Sequence, residues 1–242
     1  MPQIKISPKL NKLLDDFCVG LKNIYGQDLI CVILYGSAAS GDFVPAHSDI
    51  NVLVVLKDIG IPVLKKAVSF INKFKFRSLE PLFLSEDYIT CSLDTFPIEF
   101  LDLKENYLLL YGKDVLAGIG VRLDNLRFQC EQELKVKLVR LNKAYLRIYR
   151  DKTSLRNLLL KSFSSVLHVS RNLIRLRNKN VPYQRQEIIE ELAKDFGINA
   201  GVWLDILAVR KKEKILRGQD IERLFVEFTH DLKKLTECVD KL

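Results

Sequence analysis

Seven consecutive residues, Leu29-Ile30-Cys31-Val32-Ile33-Leu34-Tyr35, are apolar or aromatic, and the run breaks off at Gly36-Ser37. It is too short for a bilayer and rich in β-branched side chains, so it predicts a buried strand. A second run, Asp49-Ile50-Asn51-Val52-Leu53-Val54-Val55-Leu56, is polar where it opens and apolar in its body, which predicts a second strand. Buried strands need layers on both faces, and the neighbouring sequence offers them. Leu10, Leu13, Leu14, Phe17, Leu21 and Ile24 recur at helical spacing, and Ile61 to Phe74 reads as another helix. Strand candidates follow at Glu80 to Leu84 and Pro97 to Leu103. The order helix, strand, short helix, strand, helix, strand, strand predicts an α/β (α+β) domain built on a mixed sheet.

From Asn125 onward the pattern is helical throughout. Candidate helices are Asn125 to Arg150, Ser154 to Asn178, Arg185 to Phe196, Val202 to Arg210 and Asp220 to Leu242, an all-α bundle. The expected domains are therefore 1–120 and 121–242. Charge divides the same way. Up to Gly120 there are 12 basic and 14 acidic residues, whereas the remainder holds 26 and 16, so the net charge of +8 comes from the second half. The N-terminus, Met1-Pro2-Gln3-Ile4-Lys5-Ile6, lacks a signal-peptide apolar core, and no stretch is long enough to span a membrane. A cytoplasmic protein with no membrane partner is expected. The five cysteines and three histidines are dispersed without C-x-x-C spacing, which argues against a zinc site or a disulfide framework and predicts reduced, mostly buried thiols.

The chemistry-bearing segment is YGSAASGDFVPAHSDINVLVVL: an apolar strand, Gly36-Ser37, eleven residues, then Asp49-Ile50-Asn51 opening the next strand. It resembles the signature of the DNA polymerase β-type nucleotidyltransferases, Gly-Ser followed after a short interval by Asp-x-Asp or Asp-x-Glu. The resemblance extends over about residues 28 to 116, including Leu108 to Leu116. It implies a magnesium-dependent transfer of a nucleoside monophosphate from a nucleoside triphosphate, with ATP the expected donor. In that reading Gly36 and Ser37 hold the β and γ phosphates, with Ser48 beside them. A glycine lets backbone approach the phosphates closely, and a helix N-terminus supplies N–H groups. Asp49 and the residue two positions on share a strand face, where clustered carboxylates hold Mg2+.

Here the second acid is replaced by Asn51, an oxygen donor without charge. The family also implies a third carboxylate, as metal ligand or general base. Glu99 and Asp102, in Phe96-Pro97-Ile98-Glu99-Phe100-Leu101-Asp102-Leu103, are its candidates. On a strand the two have opposite parity, and alignment with the family pattern selects Glu99. The predicted catalytic and metal-binding set is thus Asp49, Asn51 and Glu99. Asn51 favours an alternative, a member that binds nucleotide or a partner without transfer, and an antitoxin-like role is a weaker third.

In the second half, eleven basic residues lie between Arg140 and Lys179, with Asp151 the one acid among them. Lys143 and Arg147 share a helix face, as do Arg171 and Arg175. Such a wall suits a triphosphate, and less well a nucleic acid, because aromatic residues for base stacking are sparse. The acceptor is a small molecule or a protein. Aminoglycoside-modifying relatives take polycationic acceptors, which a basic domain disfavours. Trp203 and Asp205 are candidates for an acceptor pocket, or else a core tryptophan and a surface acid. Homodimerisation is compatible with this sequence.

Overall fold

A computed structural model describes residues 7–40, 49–182, 184–214 and 218–242. It divides into two compact units, Met1–Val121 and Arg122–Leu242. In the first, helix α1 (Pro8–Tyr25) starts at Ser7, whose hydroxyl accepts the Leu10 N–H. Pro8 occupies the first turn, where its missing N–H costs nothing. Strands β1 (Leu29–Tyr35) and β2 (Ile50–Leu56) pair antiparallel around the short helix α2 (Ser37–Ser40). Strand β3 (Leu79–Ser85) runs parallel to β2, so the chain must cross over between them. It does so through α3 (Ile61–Lys65), α4 (Val68–Ile71) and a 3₁₀ stretch over Asn72–Arg77. The single helix expected over Ile61 to Phe74 is thus broken into pieces. Helices α5 (Glu86–Cys91) and α6 (Pro97–Glu105) precede β4 (Tyr107–Gly112), which pairs antiparallel with β1. The sheet order is β3-β2-β1-β4.

Side-chain alternation gives this sheet two buried faces. Val32, Leu34, Val52 and Val54 pack with Leu14, Phe17 and Leu21 of α1. Cys31, Ile33, Leu53 and Val55 pack with Ile89 of α5 and Phe100 and Leu103 of α6. The strand expected over Pro97 to Leu103 is therefore corrected: this segment is helix α6. Its alternation is short, and short apolar runs fit either period. Pro97 is buried in the first turn, with Glu99 in that turn and Lys104 in the last. Residues Pro97, Phe100 and Leu103, three apart, form its buried side. The strand beside β1 is instead supplied by Tyr107–Gly112.

The second unit consists of α7 (Leu123–Ile148), α8 (Lys152–Leu176), α9 (Arg185–Phe196), α10 (Ala200–Arg210) and α11 (Gly218–Val239). Asp151 caps α8, accepting from the N–H groups of Thr153 and Ser154. Phe163, Trp203 and Phe228 form one aromatic cluster in the core. Trp203 is fully buried, and its indole N–H donates to Asp231 Oδ2 at 3.0 Å. The same oxygen accepts the Asn199 N–H at 2.9 Å, so this buried acid ties α11 to the start of α10. Asp205 instead pairs with Lys214 at 2.6 Å. Trp203 is thus a core residue and not a pocket wall. No helix among the described residues is long and apolar enough to cross a membrane.

Candidate active site

The site lies where β1 ends and β2 and β3 begin. Gly36 adopts φ +73°, a left-handed conformation that side chains resist and glycine takes freely. Its N–H donates to the Asn106 carbonyl at 3.1 Å, and its carbonyl accepts the Ala39 N–H at 2.9 Å. These bonds hold the turn between β1 and α2. With only four residues, α2 has little dipole, so any anion at this turn would be held by local N–H groups.

Register brings the polar residues to this turn. Asn51 on β2 lies opposite Tyr35 on β1 and opposite Glu80 on β3. Tyr35, Asn51 and Glu80 therefore form one row across three strands. The row shares its face with Ile33, Leu53 and Leu84, the face covered by α5 and α6. Asp49, immediately before β2, has the parity of Asn51. A Cβ built on Gly36 would stand 3.4 Å from the Asn51 amide nitrogen, so the asparagine side chain borders the glycine turn. Asp49 and Glu80 are exposed and Asn51 is half-buried, which leaves the row open to solvent. Burial pushes the Tyr35 phenol above its ordinary pKa of 10.0, keeping it neutral.

The predicted site residues fall out as follows. Gly36, Asn51 and, by parity, Asp49 are brought to one end of one sheet face. Ser37 opens α2 directly after the turn. Ser48 lies outside the described residues. Glu99 sits in the first turn of α6, exposed, and not on a strand. The parity argument that separated it from Asp102 therefore lapses, since residues three apart share a helix face. Glu80 is the acid that sequence reasoning passed over. A signal existed: it opens a predicted strand as Asp49 opens its own, an acid before an apolar run.

The donors along this row, two carboxylates and one amide oxygen, are hard oxygen ligands of the kind magnesium takes. Among the described residues, no group of three or more His, Cys, Asp or Glu side chains could hold a metal ion. The donor set fits a single cation better than two.

The helical unit carries a second polar concavity. A cleft of about 160 Å3 between α8 and α9 is lined by Ser164, Leu167, His168, Arg171, Arg185 and Ile188. Burial, and then the nearby Arg210 guanidinium, lower the Arg185 pKa. Two guanidiniums, an imidazole and a hydroxyl on one cleft make a setting for phosphate or carboxylate oxygens.

No protein-family profile matches the chain. A curated protein of Methanocaldococcus jannaschii, provisionally named a protein adenylyltransferase, is 44% identical over 50 residues. That match covers 21% of this chain and 33% of the relative, so it spans about a third of the relative's length. A crystal structure of spectinomycin adenyltransferase from Enterococcus faecialis with ATP and spectinomycin superposes with a TM-score of 0.55. It covers 92% of this chain and 98% of that one at 12% identity, a likeness of fold. The superposition shows that the chain has the fold of that adenyltransferase, a mixed four-stranded sheet followed by a helical region.

Proposed function

We propose that this protein transfers a nucleoside monophosphate, AMP from ATP, to a small-molecule or protein acceptor. The observation that carries this reading is the row Asn51–Glu80 set against the left-handed Gly36 turn, with Asp49 at its edge. The Gly36-Ser37 backbone would receive the β and γ phosphates, which a glycine without Cβ can approach closely. Asp49, Asn51 and Glu80 would hold Mg2+, which when bound offsets phosphate charge. We assign the third acid to Glu80, on the strand beside Asn51, in preference to Glu99. An acceptor nucleophile forms the new bond to the α-phosphorus and the α–β phosphoanhydride bond breaks. Pyrophosphate leaves toward the Gly36-Ser37 turn, and the acceptor's proton passes to Glu80.

Asn51 favours a second reading, a protein that binds nucleotide without transferring it. Calorimetry with the magnesium complexes of ATP, GTP, CTP and UTP, followed by pyrophosphate release, separates the two. The transferase reading expects cation-dependent triphosphate binding that Asp49→Ala abolishes, and pyrophosphate release by the wild type. If release arises only in Asn51→Asp, the non-transferring reading holds. Triphosphate binding that ignores both the cation and Asp49→Ala overturns the transferase reading.

A further inference from the structure

The cleft between α8 and α9 gathers cations from three helices. Ser164, Leu167, His168 and Arg171 line it from α8, at the i, i+3, i+4, i+7 spacing of one helix face. Arg185 and Ile188 line it from α9. The third helix is α10, whose last residue is Arg210. Arg210 Nη1 donates to the Leu160 carbonyl at 3.4 Å, and the Ser164 hydroxyl donates to the same carbonyl at 3.4 Å. That shared acceptor sets the Arg210 guanidinium at the Ser164 end of the cleft. Both bonds are long, so either donor can turn to an anionic acceptor at little cost.

The carboxylates that would neutralise these guanidiniums are missing or engaged. The sequence contains no Asp or Glu from Lys152 to Gln186, so α8 has none. On α9, Glu191 and Asp195 are held by Lys179, and Glu190 accepts from the Gln186 amide. Glu187 is two positions from Arg185, a spacing at which helix side chains do not face each other. The one acid of α10, Asp205, is paired with Lys214. Arg185 and Arg210 therefore make no ion pair among the described residues. The Arg185 charge is opposed by burial and then by Arg210, and no carboxylate compensates it.

Shape selects the anion. Donors approach from three helices, which suits the tetrahedral oxygens of a phosphoryl group, whereas a planar carboxylate is matched by a single guanidinium fork. The near-double charge of a phosphate monoester also matches two guanidiniums. At about 160 Å3 the cleft is well below the roughly 300 Å3 at which small-molecule pockets begin. It has room for the phosphoryl group, with the remainder of a ligand outside. We propose that the α8–α9 cleft is a phosphoryl-binding site, taking inorganic phosphate or the phosphate monoester of a small molecule through Arg185, Arg210 and Ser164. A nucleic acid would need stacking surfaces, and Leu167 and Ile188 are aliphatic. The inference is independent of the catalytic reading, because its residues all belong to the helical unit.

The test is a 15N NMR titration of the full chain in EDTA at constant ionic strength, following the backbone amides of residues 164–171 and 185–188. Probes are inorganic phosphate, glycerol 3-phosphate, acetate and oligouridylate, with MgATP added in a separate series without EDTA. Both phosphate probes should shift these amides saturably, and acetate should not. Tighter binding of glycerol 3-phosphate assigns the site to a phosphorylated small molecule, and equal binding assigns it to free phosphate. Arg185→Gln and Arg210→Gln should each weaken binding by about tenfold or more, the scale of one charge-assisted hydrogen bond. Arg223→Gln, which removes the same charge from α11, should leave it unchanged, as should Asp49→Ala. All three arginines are exposed, and unchanged Trp203 emission verifies the fold of each variant. Equal binding of acetate, indifference to both cleft variants, an equal loss in Arg223→Gln, or tighter binding of oligouridylate overturns the proposal. So do shifts that appear with MgATP and with neither phosphate probe.

Discussion

Replacing Gly36 by alanine probes the point where backbone conformation and proposed chemistry meet. At φ +73° an L-residue meets a penalty of about 1–2 kcal/mol. The new methyl would lie 3.4 Å from the Asn51 amide nitrogen, an ordinary contact, so the cost to the fold is conformational and not a clash. A loss of that size speeds exchange about 5- to 30-fold for amides that open with the whole unit. Hydrogen exchange read by mass spectrometry on β1 and β2 peptides isolates this unit from the helical one. The same methyl occupies the space through which a phosphate would approach. ATP affinity should therefore fall more than stability does, on the order of tenfold or beyond. Gly36→Asn sharpens the test, because asparagine tolerates left-handed backbone better than alanine. It should recover part of the protection while binding ATP no better. Unchanged exchange in Gly36→Ala would refute the strain argument, and unchanged ATP affinity in the folded variant would refute the phosphate role.

Glu80→Gln should abolish pyrophosphate release while Glu99→Gln retains most of it, measured by a coupled pyrophosphate assay; the reverse outcome restores the α6 acid to the site. Asp231→Leu leaves the buried Trp203 indole N–H and the Asn199 N–H unmatched, so it should cost about 2–5 kcal/mol. Guanidinium titration followed by emission of Trp203, the chain's one tryptophan, reads that loss directly. Asp151 has its pKa lowered below 3.8, first by the Ser154 hydroxyl and then by the Ser154 and Thr153 N–H groups. Its capping contribution is therefore complete above the free carboxyl pKa and lost as pH falls through the lowered folded value. Asp151→Ala should lower Tm at neutral pH, and the difference from wild type should vanish in strong acid.

Much of the fold is legible in the sequence because its strands are strongly marked. Leu29–Tyr35 is bounded by Asp28 and Gly36, and apolar identity with β-branching leaves little alternative. The helices of the second unit show long, regular periodicity, and Asp220 to Leu242 locates α11 to within a few residues. Pro97–Glu105 misleads because nine residues with apolar side chains at 98, 100, 101 and 103 satisfy either period. What decides is tertiary: Tyr107–Gly112 takes the place beside β1, and α6 covers the sheet with Phe100 and Leu103. Asp49 and Asn51 are readable because they are neighbours in sequence. Glu80 carries only the weaker signal of an acid opening a strand, because nothing local reveals that β3 joins β2 in parallel with Glu80 opposite Asn51. Such a register is a long-range property of the crossover. Position 51 itself is plain in the sequence, but its contact with the Gly36 turn belongs to the fold.

Calorimetric titration of MgATP into the wild type, Asp49→Ala and Glu80→Ala tests the central claim most directly. The account predicts saturable binding that requires the divalent cation and falls by an order of magnitude or more in both variants. Binding of equal strength in all three proteins, or binding that survives EDTA unchanged, would contradict it.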